Sequence, residues 1–345
     1  MTAVLPGPAG MPGPAGMPGP AGRPVTLPPR IPLAVLPTPL LPAPRLAGAL
    51  GLGDLFIKRD DLTGFAFAGN KARPLEFLVA GAVGERADTL LTGGAPGSNF
   101  CAATAAVAQR EGLACHLVLA GDPVPPGPAL SLALAWGASV TWTHDADRAS
   151  VDRALPQAAR QLAERGRRPY LIPRGGATAL GATGYFLAAS ELAGQLADHG
   201  VRTARVVVAV GSGGTLAGLA AGNAALGRPW TLAGASVSRP AAEMSRRVLG
   251  LATACLALLA DGSGVVVTGA DIEIADVRGP GHGLPSAEGT AAAAQAVRTE
   301  GLMTDPVYTA KALSLAARQP GAGAVVFWHT GGMLDVVAAA QGAMR

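Results

Sequence analysis

The sequence predicts an α/β fold in which a mostly parallel sheet is flanked by helices. Short β-branched or apolar runs alternate with longer Ala/Leu-rich segments, as in successive βαβ units. Glycine clusters recur at the ends of the predicted strands, where such folds place their ligands. The chain has 345 residues, of which 49% are hydrophobic and only 14% charged, so most of it must pack into a core.

The alternation of these runs defines the elements in order. The predicted strands are residues 55–58, 89–92, 116–120, 139–143, 170–173, 205–210, 232–237 and 324–328. The predicted helices are residues 70–85, 99–111, 150–165, 179–197, 215–226, 240–259, 286–300 and 332–341. No repeat or linker interrupts this series, so composition alone draws no domain boundary.

The first 30 residues are predicted to form a disordered tail rich in glycine and proline. Their GPAGMP copies lack the basic start and long apolar run of a signal peptide, and they are too few and too imperfectly spaced for a collagen helix. Elsewhere no apolar run of membrane-spanning length is free of Gly, Pro or charge. We therefore expect no membrane association.

Charge and cysteine usage exclude further classes. The net charge is +4, but the Lys and Arg residues are scattered and aromatic residues make up only 4%, so we expect no nucleic-acid partner. The three cysteines, Cys101, Cys115 and Cys255, have no CxxC spacing and an odd count. We expect neither a disulfide framework nor a metal site, and the reducing cytoplasm is the compartment that fits.

A glycine-rich turn is predicted to bind a phosphate. Gly211, Ser212, Gly213, Gly214 and Thr215 follow a predicted strand and open a predicted helix. Glycines let backbone N–H groups approach an anion, the helix N-terminus adds partial positive charge, and the two hydroxyls supply donors. A plain tight turn between strand and helix remains the alternative.

Other phosphate-binding motifs fit this turn less well. The segment GSGGTL lacks the third glycine of a dinucleotide fingerprint, and no acidic residue follows at the required distance, which disfavours NAD. Arg239, which lies in that region, leaves NADP open. No Gly-Lys-Ser/Thr follows, so a Walker loop is excluded.

Lys71 is the candidate nucleophile. It follows Asn70, a potential N-cap, at the start of a predicted apolar helix. The helix dipole and partial burial would lower the lysine pKa towards the free amine, which is the form that an imine with a cofactor aldehyde requires. On position alone, a solvated surface lysine is the more common case.

The segment around Lys71 resembles a known family. The pattern IKRDDLTG-x4-GNK-x-R-x-LEF, residues 57–77, closely resembles the D-cysteine desulfhydrase and 1-aminocyclopropane-1-carboxylate deaminase family of pyridoxal-phosphate enzymes, which is tryptophan-synthase-β-like. The resemblance extends over nearly the whole chain beyond the tail. It includes Ser98-Asn99, IPRGGA (172–177), GATGY (181–185), GSGGT (211–215), GPG (279–281), DPVYTAKA (305–312) and HTGG (329–332).

This resemblance implies a fold-type II architecture with two open, mostly parallel sheets flanked by helices. Pyridoxal 5'-phosphate would lie in the cleft between a larger domain, residues 31–70 and 184–345, and a smaller domain, residues 71–183. The resemblance also implies a homodimer and a small amino acid as substrate.

The resemblance assigns cofactor roles residue by residue. Lys71 would be the Schiff-base lysine and proton shuttle, and Asn99 would hydrogen-bond the phenolic oxygen of the cofactor. The turn Gly211–Thr215 would hold its phosphate. Thr330 would lie by the pyridine nitrogen, although outside the family context a helix N-cap is the simpler interpretation of Thr330.

Two further residues are assigned to the substrate by the same resemblance. Ser98 would meet the substrate carboxylate, and Tyr308 would lie in the active site near the substrate. Without the family context, Tyr308 would be interpreted as a half-buried core tyrosine.

Thr309 bears on the type of reaction. Family members that open the cyclopropane ring carry a glutamate directly after the tyrosine, as the partner of the pyridine nitrogen, and this chain has Thr309. A neutral hydroxyl does not hold that nitrogen protonated, so charge withdrawal into the ring is weaker. We expect α,β-elimination of thiol, chloride or sulfite, with D-cysteine desulfhydration as the precedent. The alternatives are a 1-aminocyclopropane-1-carboxylate deaminase and a lyase for a bulkier cysteine S-conjugate.

Three departures from the family concern the substrate pocket. Gly97 and Phe100 stand where the family has Gln and His or Gln, and His282 replaces a tyrosine thought to face the substrate. We expect His282, a titratable imidazole, to take part in the active site and in substrate choice. A solvated loop histidine is an equally open alternative. Together these changes favour a bulkier or less polar substrate.

Overall fold

A computed structural model describes residues 25–259, 263–318 and 323–343. Most of the predicted tail, residues 1–24, lies outside the described residues. From there the chain packs onto the fold: Val25 and Leu27 contact the core, and Arg30 Nε lies 2.8 Å from a carboxylate oxygen of Glu76.

The ten strands and eleven α-helices of the described residues alternate along the chain. The strands are β1 (Leu40–Pro42), β2 (Leu55–Arg59), β3 (Thr89–Gly94), β4 (Ala114–Leu119), β5 (Ser139–Trp142), β6 (Pro169–Leu171), β7 (Ala204–Val210), β8 (Trp230–Ser236), β9 (Ile272–Asp276) and β10 (Ala324–His329). The helices are α1 (Pro44–Leu50), α2 (Ala72–Gly84), α3 (Asn99–Arg110), α4 (Pro128–Ala135), α5 (Ala149–Glu164), α6 (Ala179–Asp198), α7 (Gly214–Ala225), α8 (Ala241–Leu259), α9 (Ala287–Glu300), α10 (Thr309–Ala317) and α11 (Met333–Ala343).

These strands form two sheets, which confirms the predicted fold class. The six-stranded sheet has the order β1-β2-β10-β7-β8-β9, and its only antiparallel pair among the described strands is β1 with β2. The four-stranded sheet has the order β5-β4-β3-β6 and is parallel throughout. Helices separate nearly all the parallel strands in sequence, as right-handed crossover connections require.

All sixteen predicted elements are present, with ends within two residues of those predicted. Five elements were missed. Strand β1 and helix α1 lie in the Pro-rich approach, α4 follows another Pro-rich loop, β9 is a short outer strand, and α10 lies inside the DPVYTAKA motif. Each is short or bounded by proline, so it carries little periodic signal.

Helices α6 and α7 pack closely enough that their contact requires glycine. A Cβ built on Gly218 would lie 2.2 Å from the backbone oxygen of Ala182, and one on Gly222 would lie 2.8 Å from that of Phe186. The predicted domain boundary between residues 183 and 184 falls inside α6. The domain limits stay a prediction.

A buried ionic cluster anchors α2 below the candidate site. Arg73 donates 2.9 Å hydrogen bonds to both carboxylate oxygens of Asp60 and further bonds to Glu191, which also pairs with Lys58. Tyr185 donates a 2.6 Å hydrogen bond to Asp60. Burial raises the pKa of Asp60, but Arg73 and these hydrogen bonds more than offset it and lower the pKa to about 2. Because Arg73 is two residues from Lys71, the cluster fixes the helix that presents this lysine.

None of the described helices is both long and apolar enough to cross a membrane.

Candidate active site

A cavity lies where the carboxyl ends of parallel strands from both sheets meet. Strands β7 and β10 of the larger sheet and β3 of the smaller sheet end at its wall, and the loops that follow them line it. This is the position at which open α/β sheets bind ligands. The predicted site residues on its wall are Lys71, Ser98, Asn99, Gly211, Ser212, Gly213, Thr215, His282, Tyr308 and Thr330.

Lys71 ends a single 3-10 turn, Gly69–Lys71, directly before α2. The turn is pressed against the loop after β10: the backbone N–H of Asn70 donates to the oxygen of Thr330 at 2.9 Å, and a Cβ on Gly69 would lie 2.5 Å from that oxygen. Glycine, with φ +52°, is thus required there. This contact fixes the position of Lys71 at the cavity wall.

The pKa of Lys71 is lowered to about 8. Burial is the main cause, because it disfavours the ammonium form, while Asp305 and Asp335 act in the opposite direction. Free amine is therefore available at mildly alkaline pH, as the sequence predicted.

The prediction that Asn70 caps α2 is wrong. Helix α2 begins at Ala72 with no side-chain cap, and the Asn70 side chain instead donates a 3.0 Å hydrogen bond to Thr215 Oγ1. This bond links the Lys71 turn to the glycine-rich turn.

The glycine-rich turn connects β7 to α7 and leaves helix N-terminal donors open to the cavity. Gly213 has φ +102°, and α7 begins at Gly214, which lies behind the wall. A Cβ on Gly211 would lie 3.1 Å from the ring of Tyr308, so a side chain there would crowd the site. The first-turn N–H groups and the hydroxyls of Ser212 and Thr215 make this turn an anion cradle.

Ser98 and Asn99 lie at the start of α3, which follows β3 of the smaller sheet, and both line the cavity. Ser98 is the N-cap of α3, and its Oγ accepts a 3.3 Å hydrogen bond from the backbone N–H of Cys101. The Asn99 side-chain amide donates to Asp335 at 2.6 Å, while its oxygen is buried without a hydrogen-bond partner among the described residues. Such an orphaned acceptor in a cavity wall indicates a place for a ligand donor.

Tyr308 and His282 meet edge to face, with ring centroids 6.2 Å apart. Burial raises the pKa of Tyr308 to about 12, so the phenol stays protonated. His282 Nδ1 lies 3.2 Å from the backbone oxygen of Val237. Burial and the nearby charge of Arg148 lower the pKa of His282, which favours the neutral ring.

Thr309 does not line the cavity, and Asp305 does. The buried Thr309 hydroxyl is turned to Asp305, donating to its carboxylate and accepting from its backbone N–H at 2.8 Å. The Asp305 carboxylate also accepts the backbone N–H of Tyr308 at 2.7 Å, and burial raises its pKa. Thr309 thus positions Asp305 at the start of α10.

Thr330 follows β10 and is almost fully buried at the cavity wall. It is not the N-cap of α11, which begins three residues later at Met333. The Thr330 carbonyl accepts the hydrogen bond from Asn70 in the turn that contains Lys71. Two residues later, Gly332 lies so close to the Asp305 carboxylate that a Cβ on it would be 2.6 Å from Oδ2.

Comparison with known proteins decides the family. A family model described as "Pyridoxal-phosphate dependent enzyme" matches residues 31–331, most of the chain. The chain belongs to this family of pyridoxal-phosphate dependent enzymes.

Particular relatives support the same assignment. The chain is 41% identical over 318 residues to proteins named D-cysteine desulfhydrase from Klebsiella pneumoniae (strain 342) and Salmonella choleraesuis (strain SC-B67), covering 88% of this chain and 94% of each relative. A solved structure titled as an ACC deaminase homologue superposes with a TM-score of 0.81 at 33% identity, covering 90% of this chain and 93% of that one. A fungal L-serine ammonia-lyase from Rhizomucor miehei, 18% identical with a TM-score of 0.60 over 87% and 94% of the chains, shares the fold.

The residues of the cavity fit the cofactor of this pyridoxal-phosphate enzyme. An anion cradle at residues 211–215, a lysine with a lowered pKa and the orphaned Asn99 oxygen line one cavity. Pyridoxal phosphate has a phosphate, an aldehyde and ring substituents that can use such groups.

Several groups on the wall of this pyridoxal-phosphate enzyme had no role predicted for them in pyridoxal-phosphate or substrate binding. Asp305 stood inside a quoted motif, but Asp335 and four arginines, Arg148, Arg174, Arg239 and Arg247, carried no local signal as a group. They come from separate segments, so only folding brings them together. The three cysteines are buried and free, with pKa values raised by burial, and no cluster of potential metal ligands occurs among the described residues.

Proposed function

We propose that the protein is a pyridoxal-phosphate-dependent carbon–sulfur lyase that splits a small amino acid by α,β-elimination. D-Cysteine is the precedent, with thiol or sulfide, keto acid and ammonia as products. The D-cysteine desulfhydrases at 41% identity support this proposal. One observation carries it: the Lys71 amine and the anion cradle of residues 211–215 line the same cavity and are linked through Asn70 and Thr215.

Cofactor binding is proposed to use four groups of this chain. Gly211–Thr215 would bind the phosphate, and Lys71 would hold the cofactor covalently. Asn99 would hydrogen-bond the phenolic oxygen, and Thr330 would lie by the pyridine nitrogen. When bound, pyridoxal phosphate supplies an electrophilic carbonyl carbon and an electron-withdrawing ring.

Lys71 is also proposed to move the proton of the reaction. Its pKa of about 8 places the free amine close to neutral pH, so the amine can take a proton from the substrate α-carbon and return it. Asp305 and Asp335 hold negative charge near the resulting ammonium. Efficient proton transfer requires a pKa close to the operating pH, and this environment provides it.

Substrate binding is proposed to use the side chains facing these groups. Ser98 would meet the carboxylate, Tyr308 would lie beside the reacting carbons, and the neutral His282 would contact the substrate side chain. Phe100 is buried, and its ring packs against Gly176 so closely that a Cβ there would lie 2.7 Å from Cζ. Its ring would give the substrate an apolar contact surface.

The choice of elimination over ring opening rests on the relatives rather than on Thr309. That hydroxyl is hydrogen-bonded to Asp305, and Thr309 does not line the cavity, so we assign it no direct role in setting the charge of the pyridine ring. Asp305 and Asp335 are the acidic residues on the cavity wall among the described residues.

A substrate panel tests the proposal. Purified protein with pyridoxal phosphate is incubated with D-cysteine, L-cysteine, β-chloroalanine or 1-aminocyclopropane-1-carboxylate, and keto acid and ammonia are measured. We expect pyruvate from substrates with a β-leaving group and none after Lys71→Ala. If 1-aminocyclopropane-1-carboxylate is the one substrate that reacts, and it yields 2-oxobutyrate, the protein is a deaminase and the proposed lyase activity is wrong.

We also propose a homodimer in the cytoplasm. The family resemblance supports the dimer, and the three unpaired cysteines support a reducing compartment. Light scattering of the purified protein tests the dimer.

A further inference from the structure

Four arginines form one wall of the cavity. Arg148 precedes α5, Arg174 follows β6, Arg239 follows β8, and Arg247 lies on α8. They are close enough to affect one another: the pKa of Arg148 is lowered first by burial and then by Arg174 and Arg239. We call these four residues the arginine wall.

Two members of the arginine wall have carboxylate partners. Arg174, whose side chain is only 13% exposed, forms a bidentate ion pair with Asp152, in which Nε lies 2.8 Å from Oδ1. Arg239 pairs with Glu243 one helical turn further along. These carboxylates orient the two guanidinium groups and neutralise their charge.

The other two members have no carboxylate partner among the described residues. Arg148 is half-buried, and its side chain makes no hydrogen bond to any residue that the structure describes. Arg247 donates a 2.7 Å hydrogen bond to the backbone oxygen of Ser212 and forms no ion pair. The wall therefore carries two positive charges at the cavity that no carboxylate of the described residues pairs with.

Within the arginine wall, Arg247 contacts the glycine-rich turn, whereas Arg148 acts on groups of the proposed substrate side. Arg148 acts electrostatically on both Tyr308 and His282, which lie on the proposed substrate side. The acidic groups of the cavity, Asp305 and Asp335, act on Lys71 and also on Tyr308. The cofactor phosphate already has the backbone donors of residues 211–215, so the charge of Arg148 is left for a second anion.

We propose that the arginine wall binds a tetrahedral oxyanion carried on the β-carbon of the substrate, a sulfonate or a phosphate ester, which departs when the amino acid is split. The planar guanidinium fork matches such oxygens and forms short, charge-assisted hydrogen bonds with them. This inference rests on the proposed elimination and names its substrate class. It also revises the sequence-based expectation of a less polar substrate.

The reaction balances without an oxidant or reductant. For a β-sulfonate, the α-carbon loses a proton to Lys71, the Cβ–S bond breaks, and its electron pair leaves with sulfur as sulfite. Water then hydrolyses the remaining unsaturated amino acid to pyruvate and ammonia. A β-phosphate ester would lose phosphate by breaking the Cβ–O bond in the same way.

The test compares leaving groups in wild-type holoenzyme and two variants. The substrates are cysteate and O-phosphoserine, each as D- and L-isomer, with D-cysteine and β-chloroalanine as substrates that lack the oxyanion. Arg148→Gln is the test variant, and Arg160→Gln, an exposed arginine on α5, is the matched control. The kcat and KM values are measured by pyruvate formation, and the affinity for pyridoxal phosphate is measured by absorbance titration.

We expect an oxyanion substrate to have the highest kcat/KM. Arg148→Gln should raise its KM by about tenfold or more, as loss of a hydrogen bond to a charged group implies, while the KM for β-chloroalanine changes much less and cofactor affinity is unchanged. Arg160→Gln should leave all values unchanged. The preference between cysteate and O-phosphoserine identifies the oxyanion.

Three results would overturn the inference. If β-chloroalanine or D-cysteine is split but neither oxyanion substrate is, the proposed function stands and the arginine wall has another role. If Arg148→Gln weakens cofactor binding and leaves KM unchanged, the wall serves the cofactor phosphate. If no substrate yields a keto acid, the proposed function and this inference fail together.

Discussion

Asn99 and Asp335 are joined by a 2.6 Å hydrogen bond from the side-chain amide to the carboxylate. Asn99 begins α3, Asp335 lies in the first turn of α11 236 residues further along the chain, and both line the same cavity as Lys71. Burial, followed by the charge of Asp305, raises the pKa of Asp335 to about 6, while Asn99 and Lys71 lower it. Asp335 is therefore ionised at pH 8, where Lys71 titrates.

The first prediction concerns the titration of Lys71. With its pKa lowered to about 8, the fraction of free amine should rise as pH increases from 7 to 9. The rate at which cofactor-free protein is labelled by pyridoxal phosphate with borohydride should follow this rise, with a midpoint at about pH 8. A midpoint above pH 10 would mean that the lysine is solvated.

The second prediction uses Asp335 to test the same environment. The carboxylate favours the ammonium form of Lys71, so Asp335→Asn should move the labelling midpoint below that of the wild type. Asp122→Asn, at an exposed aspartate, is the control and should not move it. An unchanged midpoint in Asp335→Asn would show that the two groups do not interact.

The third prediction concerns the buried cluster below the site. Asp60→Asn leaves Arg73 without its main partner and should lower the free energy of unfolding at pH 7 by about 3–5 kcal/mol. The pKa of Asp60 is depressed to about 2 in the folded state, so its stabilisation is present above about pH 4 and is lost as pH falls towards 2. The free energies of unfolding of variant and wild type, measured with urea, should therefore converge at low pH. Asp198→Asn, on the exposed end of α6, should match the wild type throughout.

The fourth prediction tests the close packing of α6 against α7. Gly218→Ala places a Cβ 2.2 Å from a backbone oxygen of α6 and should destabilise the protein by about 1–3 kcal/mol or more. Gly194→Ala, within α6 where no atom lies within 4 Å of the new Cβ, should instead stabilise it by about 0.5–1 kcal/mol. Equal thermal stability of the two variants would contradict this packing.

Local sequence was sufficient for much of the fold and for part of the site. The turn at residues 211–215 was predictable because strand, glycines and helix start are adjacent in the chain. The sequence predicted Lys71 as the nucleophile but not its surroundings. The hydrogen bond that fixes its turn joins Asn70 to Thr330, 260 positions further along the chain. The prediction that Asn70 caps α2 was wrong because its side chain donates a hydrogen bond to Thr215, far along the chain, and not to the backbone of α2.

Residues assembled from distant segments could not be predicted. Asp335 is an ordinary acidic residue in the first turn of α11 until folding places it beside Asn99. The arginine wall draws on four segments. In the sequence, the scattered arginines had argued against a nucleic-acid partner, and Arg239 alone had left NADP open. The role of Thr309 next to the cofactor stays a prediction from its position in a motif; its hydroxyl donates to the carboxylate of Asp305.

Reduction of the holoenzyme with borohydride, followed by peptide mapping, tests the central claim most directly. The account predicts a protein whose visible absorbance band disappears on reduction and whose label is found on Lys71 alone. Lys71→Ala should show no stable label. Its weak binding of the cofactor should persist, because residues 211–215 bind the phosphate separately. A label on another lysine, or a protein that binds no pyridoxal phosphate, would contradict the account.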